Sequence, residues 1–229
     1  MPADYVIAPP EPVVVPVRGG GRFPVRRIFC VGRNYAEHAR EMGHEPGREP
    51  PFFFMKPADA IVTDGAEVPY PPLTAELHHE IELVVALGQG GADIPVAAAL
   101  AHIFGYAVGL DLTRRDLQQA ARKAGRPWDM GKGFDHSAPI GEIAPATAIG
   151  HPQDAAIELA VNGEVRQSAS IADMTWSVPE IVAELSRYVE LKPGDLIFTG
   201  TPAGVSALQR GDRLEGSVAG VGTVSARIA

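Results

Sequence analysis

The chain has 229 residues, of which 45% are hydrophobic and 21% charged, and its formal net charge is −8 at pH 7. This length suits one ordinary domain with a full apolar core, and the negative charge argues against nucleic acid or an anionic membrane as partner. The sequence has no run of about 18 apolar residues that would predict a transmembrane helix, and its start lacks the pattern of a secretory signal. Cys30 is the only cysteine, which fits a reducing compartment, so we expect a cytoplasmic protein.

The first part of the chain, residues 1–24, is rich in Pro and Gly and predicts an extended arm, with a short edge strand in VVVPV. The next segment, RRIFCVG at 26–32, predicts a buried strand because β-branched and aromatic residues dominate it. A short polar helix is predicted at 34–43, followed by a polar loop with Gly and Pro that we expect to be mobile. The apolar run PFFFMKP then predicts another strand.

Two apolar segments, 77–87 and 102–112, predict strands that carry carboxylates. Glu80 and Glu82 lie two residues apart, so they project from one face of a strand, and like charges beside a core need a cation. On their own they fit a solvent-facing polar face equally well, but Asp111, at the end of the second strand, favours a site. Three carboxylates without a cysteine cluster predict oxygen coordination of Mg²⁺ or Mn²⁺, with Ca²⁺ as a substitute.

The helix after Asp111 is predicted at 114–124, opened by a capping box of Thr113 and Asp116. On this helix Arg115 and Gln118 lie three residues apart, a pattern that solvated first-turn residues also produce.

The last part of the chain contains a hairpin signal, Asn162-Gly163 between two alternating runs. Residues 177–189 predict an amphipathic helix with Pro179 in its first turn. Many strands, few helices and no alternation of strand and helix predict an α+β, β-rich fold.

Two histidines lie near candidate carboxylates. His38 and Glu41 are three residues apart on the short helix, where a carboxylate can orient an imidazole that activates water. The pattern alone favours an ordinary exposed pair. His78 shares a strand face with Glu80 and Glu82, and we expect it to contact the ligands rather than to be one.

The motifs in this order resemble the fumarylacetoacetate hydrolase family. The matching stretches are FCVGRNYAEHAREMG, PFFFMKP, LHHEIELVVALG, GYAVGLDLTRRDLQ, PWDMGKGFD, VNGEVRQ and LKPGDLIFTGTPAGV. The resemblance extends from Arg26 to Ile228 and is closest to the short, single-domain acylpyruvases. Within these, the chain looks most like the fumarylpyruvate hydrolases of aromatic-acid (gentisate-type) breakdown.

The resemblance implies a β-rich roll of mixed strands and short helices, usually a homodimer, with the arm at 1–24 and the catalytic domain at 25–229. It implies that residues about 36–50 close over the substrate. It assigns metal ligation to Glu80, Glu82 and Asp111, catalysis to His38, Glu41 and Lys132, and substrate binding to Arg33, Arg115, Gln118 and Thr201.

The expected activity is therefore the metal-dependent hydrolysis of the C–C bond of an acylpyruvate, with fumarylpyruvate giving fumarate and pyruvate. We expect Arg40 or Arg48 to meet the distal carboxylate of this 2-oxo acid. Oxaloacetate decarboxylation and hydroxymuconate-type isomerisation or decarboxylation are alternatives on the same metal site. A metal-stabilised binding protein is the alternative outside enzymes, and an intact set of acid, base and cation residues argues against it.

Overall fold

The computed structural model describes residues 5–43 and 49–229, and strands dominate this part of the chain. The strands are β1 (Val14–Pro16), β2 (Arg22–Pro24), β3 (Arg27–Gly32), β4 (Phe52–Lys56), β5 (Ile61–Thr63), β6 (Ala66–Val68), β7 (Leu77–His78), β8 (Ile81–Leu87), β9 (Ile103–Leu110), β10 (Thr113–Arg114), β11 (Ala138–Ile140), β12 (Ala144–Pro145), β13 (Ala156–Val161), β14 (Glu164–Ser170), β15 (Asp195–Phe198), β16 (Arg213–Val218) and β17 (Gly222–Ile228). The α-helices are α1 (Ala36–Glu41), α2 (Arg115–Lys123), α3 (Asp129–Lys132), α4 (Ala146–Ile149) and α5 (Val178–Tyr188). Short 3₁₀ helices occupy Ala58–Ala60, Val96–His102 and Ile171–Asp173.

The strands form two main sheets. The larger has the order β4-β3-β15-β8-β9-β11-β5, with β12 also beside β9, and the smaller has the order β14-β13-β16-β17-β6. Pairs β3/β15, β5/β11 and β6/β17 are parallel, and the other pairs of these sheets are antiparallel. This mixed, β-rich architecture with short helices confirms the predicted fold class.

The central strand β8 shows why the core lies where it does. Leu83 and Val85 belong to the apolar cluster shared with the smaller sheet, whereas Val84 and Ala86 belong to the cluster on the opposite face, with Cys30. Because both faces of the strand are buried, its sequence is apolar at every position except Glu82, rather than alternating. Glu80 and Glu82, at the start of this strand, are therefore held next to the buried core.

The arm is better integrated than an extended segment would be. Its strands β1 and β2 pair antiparallel as a hairpin, and Val15 and Phe23 are buried in the same cluster as Cys30. Arg18 anchors the hairpin by donating from Nε to Glu142 Oε1 at 2.8 Å. The domain boundary after residue 24 stays a prediction.

The predicted strand at 77–87 is interrupted at His79 and Glu80, between β7 and β8. The reason is that His79 is buried and bonded through both ring nitrogens, to Gln167 Oε1 and Ser206 Oγ, each at 2.9 Å. Strand β7 pairs with β10, whereas β8 pairs with β9 and β15. The chain therefore changes its strand-pairing partners at Glu80, one of the three predicted metal ligands.

The predicted capping box of Thr113 and Asp116 is wrong, although α2 begins within one residue of the predicted start. Thr113 Oγ1 instead donates to the backbone oxygen of Asp111 at 3.0 Å. The Asp116 carboxylate accepts from Thr74 Oγ1 at 2.6 Å and from the backbone N–H of Ala75 at 3.0 Å. These contacts join the start of α2 to the preceding loop.

The remaining local predictions are confirmed with small shifts. Helix α1 is shorter than the predicted 34–43, because the side chain of Asn34 bonds to Thr199 O and Trp176 O instead of entering the helix. Asn162 and Gly163 form the two-residue hairpin turn with φ values of 54° and 81°. None of the helices within 5–43 and 49–229 has both the length and the apolar character that crossing a bilayer requires.

Candidate metal and active site

Three buried carboxylates converge where the central strands β8 and β9 of the larger sheet begin and end. Glu80 precedes β8, Glu82 lies within it, and Asp111 follows β9, its antiparallel neighbour. One oxygen atom from each lies within 4.8 Å of the other two, and the backbone N–H of Asp111 donates to Glu80 O at 2.8 Å. The pairing of the two strands therefore brings together residues about 30 positions apart in sequence, which a divalent cation could bridge.

Two of these carboxylates are surrounded by cations. Lys132 Nζ donates to Glu80 Oε2 at 2.8 Å, to Asp111 Oδ2 at 2.6 Å and to Thr113 Oγ1 at 2.7 Å. Arg115 bonds to the other oxygen of Glu80. Burial acts to raise the pKa of Glu80, but Lys132 and Arg115 outweigh it and hold that pKa well below its usual range.

Lys56 is a further buried cation beside Asp111. Its Nζ lies 2.8 Å from Asp111 Oδ1, yet that oxygen has no hydrogen-bond partner among the described residues, so the contact is an electrostatic one. The ammonium group donates instead to Leu112 O at 3.0 Å and to Lys132 O. Asp111 Oδ1 thus keeps a lone-pair direction free, as a ligand atom would need.

Glu82 is the carboxylate of the three that no cation within 5–43 and 49–229 contacts. Among the described residues it has one hydrogen bond, from the backbone N–H of Gly200 to Oε2 at 2.7 Å. Burial, followed by the charges of Asp111 and Glu80, raises its pKa well above the usual value. The cluster therefore lacks positive charge at Glu82, and three carboxylate ligands suit a hard cation such as Mg²⁺ or Mn²⁺.

His38 and Glu41 form a pair on α1, above the carboxylates. His38 Nδ1 lies 3.0 Å from Glu41 Oε2, and Glu41 also accepts the backbone N–H of Gly204 at 3.2 Å. Partial burial acts to raise the pKa of Glu41, but the bonds from His38 and Gly204 lower it. An ionised Glu41 fixes the proton on Nδ1, so Nε2 of His38 remains free as a base.

The predicted site residues meet at one cavity. Its lining includes the predicted residues Arg33, His38, Glu80, Glu82, Arg115, Gln118, Lys132 and Thr201. The other two predicted residues support it from behind: Glu41 bonds to His38, and Asp111 is fully buried beneath Lys132.

Of the four predicted substrate-binding residues, three are buried and one is exposed. Arg115 Nη1 donates to Gln118 Oε1 at 2.6 Å, which orients both side chains in the buried part of the cavity. Thr201 Oγ1 accepts from Gln167 Nε2 at 2.8 Å. Arg33 is exposed, and its φ of 60° is unusual for a residue with a side chain.

His78 lies beside the site but does not join the carboxylates. Arg115 Nε donates toward His78 Nδ1 at 3.4 Å. Burial, followed by the charge of Arg115, lowers the pKa of His78 to about 4. The ring is therefore neutral near pH 7 and supports Arg115 rather than a metal.

Sequence reasoning missed several contributors: Lys56, Thr113, Arg122, Trp128, Gly200 and Gly204. Lys56 had a visible signal, because it is a single charge at the end of the apolar run PFFFM. The two glycines act through backbone N–H groups, which leave no signal in a side-chain pattern.

The predicted closing segment, about 36–50, is described only in part. Residues 44–48, which include the candidate Arg48, lie outside the described residues. The other candidate for the distal carboxylate, Arg40, pairs with Glu37 on the exposed side of α1. Closure over a substrate stays a prediction.

Comparison with known proteins agrees with this geometry. A sequence profile described as fumarylacetoacetate (FAA) hydrolase C-terminal matches residues 27–229. The chain is similar to the crystal structure of fumarylpyruvate hydrolase from Pseudomonas aeruginosa in complex with Mn²⁺ and pyruvate, with 55% identity, a TM-score of 0.97 and 99% of each chain covered. It is 46% identical to a fumarylpyruvate hydrolase of Ralstonia sp, over 77% of this chain and 92% of the relative. It is also 42% identical to a mitochondrial oxaloacetate tautomerase of Rattus norvegicus, over 86% of this chain and 88% of the relative.

Proposed function

This chain belongs to the fumarylacetoacetate hydrolase family, and we propose that it hydrolyses an acylpyruvate, fumarylpyruvate in particular, to pyruvate and a carboxylate. The observation that carries the proposal is the position of the His38–Glu41 pair, which shares one cavity with the carboxylates of Glu80 and Glu82. A cation site alone can polarise an oxo acid. A base beside it supplies the activated water that hydrolysis requires.

The charges of the inner cavity support a metal-dependent reaction. The carboxylates of Glu80, Glu82 and Asp111 are matched in number by the cations Lys56, Arg115 and Lys132, so their formal charges cancel. The three carboxylates would hold Mg²⁺ or Mn²⁺, which when bound would supply a Lewis acid for the 2-oxo acid and would make the inner cavity net positive. A positive cavity suits an anionic substrate, although the whole chain is negative.

The protein's own groups then account for the proton transfers. His38 Nε2 takes a proton from water, Glu41 holds the resulting imidazolium, and the water oxygen attacks the distal acyl carbonyl. The C–C bond between that carbonyl and the methylene breaks, and its electron pair stays on the pyruvate unit as an enolate. Lys132 and Arg115, which line the cavity, would stabilise this negative charge, and protonation of the enolate carbon would give pyruvate.

Tautomerisation or decarboxylation of oxaloacetate is the second candidate, since one relative is an oxaloacetate tautomerase. Such reactions move a proton or release CO₂ from the same kind of oxo acid, and they need no attacking water. Decarboxylation needs no base, so the oriented base of the His38–Glu41 pair, which reaches the cavity, favours hydrolysis over decarboxylation. Tautomerisation also uses a base, and the substrate panel below separates it from hydrolysis.

A substrate panel tests the proposal. We expect the Mn²⁺-loaded protein to release pyruvate from fumarylpyruvate faster than from acetylpyruvate or oxaloacetate, and EDTA to abolish the release. Fumarate and pyruvate should appear in equal amounts, measured by chromatography. Pyruvate formed with CO₂ from oxaloacetate alone, or enol–keto conversion without pyruvate, would assign the protein to the second candidate instead.

A further inference from the structure

The outer end of the cavity carries two arginines that the reaction above does not use. Arg33 and Arg122 line the cavity together with Met42, Gln119 and Trp128. Both arginines are exposed, and no carboxylate of the described residues lies within ion-pair distance of either guanidinium. Unpaired cations at the mouth of a substrate cavity are positioned for an anionic ligand.

Helix α2 sets the distance between the two ends of the cavity. Arg115, Gln118 and Arg122 are spaced at i, i+3 and i+7, so they share one face of the helix. Arg115 contacts Glu80 at the inner end, and Arg122 lies about 10 Å farther along the helix axis.

Arg33 approaches the same place from the end of β3. Its backbone is left-handed, with φ of 60°, and the next residue, Asn34, is locked by hydrogen bonds to Thr199 O and Trp176 O. Strained backbone of this kind is kept where its position is useful. Partial burial and the nearby charge of Arg122 lower the pKa of Arg33, and the charge of Glu49 offsets part of this effect, so the two arginines lie close enough to act on one anion.

We propose that Arg122, together with Arg33, binds a second carboxylate at the far end of the substrate, and so selects dicarboxylic acylpyruvates. This inference rests on the proposed function. A seven-carbon chain such as that of fumarylpyruvate spans about 7–8 Å between its terminal carbons, and so fits between two arginines whose backbone positions lie about 10 Å apart along α2. The predicted substrate-binding role of Arg33 thereby becomes binding of the distal carboxylate. In this proposal Arg122, rather than Arg40 or Arg48, is its main partner for that carboxylate.

A binding experiment isolates the second carboxylate without turnover. The Mn²⁺-loaded protein is titrated calorimetrically with 2-oxoheptanedioate and with 2-oxoheptanoate, which have the same length and differ only in the terminal carboxylate. We expect the wild type to bind the dicarboxylate about 10-fold or more tightly. Arg122→Gln should reduce this preference to about 3-fold or less, and Arg122→Lys should restore part of it.

The control is Lys123→Gln, which removes a neighbouring exposed charge of α2 outside the cavity lining and should keep the preference. Arg122 is exposed, so its variants should fold, and their thermal unfolding verifies this. Equal binding of the two acids by the wild type, or a preference that survives in Arg122→Gln, overturns the inference.

Turnover distinguishes failure of this inference from failure of the proposed function. In Arg122→Gln, kcat/KM should fall more for fumarylpyruvate than for acetylpyruvate, mainly through KM. Equal losses on both substrates contradict the inference and leave the hydrolase proposal intact. Absence of pyruvate release by the wild type contradicts the hydrolase proposal, while the calorimetric pair still decides whether the second carboxylate is bound.

Discussion

The two ends of the cavity are built differently. At the inner end, Glu80, Glu82 and Lys132 are at most 4% exposed, and each is held by neighbouring side chains or backbone. At the outer end, Arg33 and Arg122 are exposed, and they come from a strained turn and from the last turn of a helix. The carboxylates of the inner end belong to the central strands, whereas the arginines of the outer end lie in surface segments at the ends of β3 and α2.

This difference indicates how one fold can serve several reactions. A buried ionic cluster tolerates little change, because removing one partner leaves another charge buried and unpaired. Exposed arginines can be exchanged at little cost in stability. Helix α1 carries the His38–Glu41 pair, which in the proposed reaction activates the attacking water. We infer that the inner end fixes the class of oxo acid, α1 the reaction and the outer end the acyl group.

The largest effect is expected at the inner end, from Glu82→Gln. Loss of a charged ligand should weaken Mn²⁺ binding and lower hydrolysis by about 10³-fold or more, since the Lewis acid contributes several kcal/mol. In metal-free protein the same variant should unfold at no lower temperature than the wild type. The amide still accepts from Gly200 N–H, and a charge that burial disfavours has gone.

The matched control is Glu158→Gln, which removes an exposed glutamate of β13. It should change neither metal binding, measured by calorimetry, nor turnover. Full turnover of Glu82→Gln in chelated buffer would show that the inner end does not act through a metal.

A smaller effect is expected at α1. His38→Ala should lower acylpyruvate hydrolysis by about 10²–10⁴-fold, because the attacking water loses its base. The loss should appear in kcat, since the inner end still binds the substrate. Any decarboxylation of oxaloacetate should fall much less, and both rates are measured on one preparation.

Glu37→Ala serves as the control for that experiment, because Glu37 is an exposed residue of the same helix. Equal losses of hydrolysis and decarboxylation in His38→Ala would mean that the histidine positions the substrate, and the water-activating role would have to be abandoned.

The smallest effect is expected where backbone supports the pair. A Cβ on Gly204 would lie 2.1 Å from Arg166 O, so Gly204→Ala must shift the N–H that holds Glu41, and hydrolysis should fall about 10–100-fold. Gly211→Ala is the control, because its φ of 94° is close to the 99° of Gly204 but a Cβ there meets nothing within 4 Å. It should lose only about 1–2 kcal/mol of stability through backbone strain. Steady-state rates and thermal unfolding of both variants separate the effect of backbone strain from the effect of displacing the Gly204 N–H. Equal rates in the two variants would show that Gly204 does not support Glu41.

The inner end is the part that sequence patterns could predict. Strands β8 and β9 are continuous apolar runs, so the carboxylates at their ends stand out, and antiparallel pairing brings them together. The Asn162-Gly163 turn was equally clear, because two consecutive left-handed residues match that dipeptide.

Other features depend on contacts between distant segments, which local patterns do not contain. The break at His79 arises from Gln167 and Ser206, and the predicted capping box failed because Asp116 bonds to Thr74 and Ala75 instead. The outer end of the cavity could not be predicted without knowing how α2 is oriented. From the sequence alone, Arg122 looks like any other solvated arginine of a polar helix. Its role is visible only beside Arg33, 89 positions earlier.

The loop after β15 has a consequence for which substrates can react. Gly200 N–H holds Glu82, Gly204 N–H holds Glu41, and Thr199 fastens the loop to β8 through Leu83 O at 2.9 Å. In the proposed hydrolysis, this one short stretch of backbone would set the distance between the site that binds the oxo acid and the base that activates water. We therefore expect acids whose two carbonyls are separated by a single carbon to react, and acids with a wider spacing not to react, whatever group occupies the outer end of the cavity.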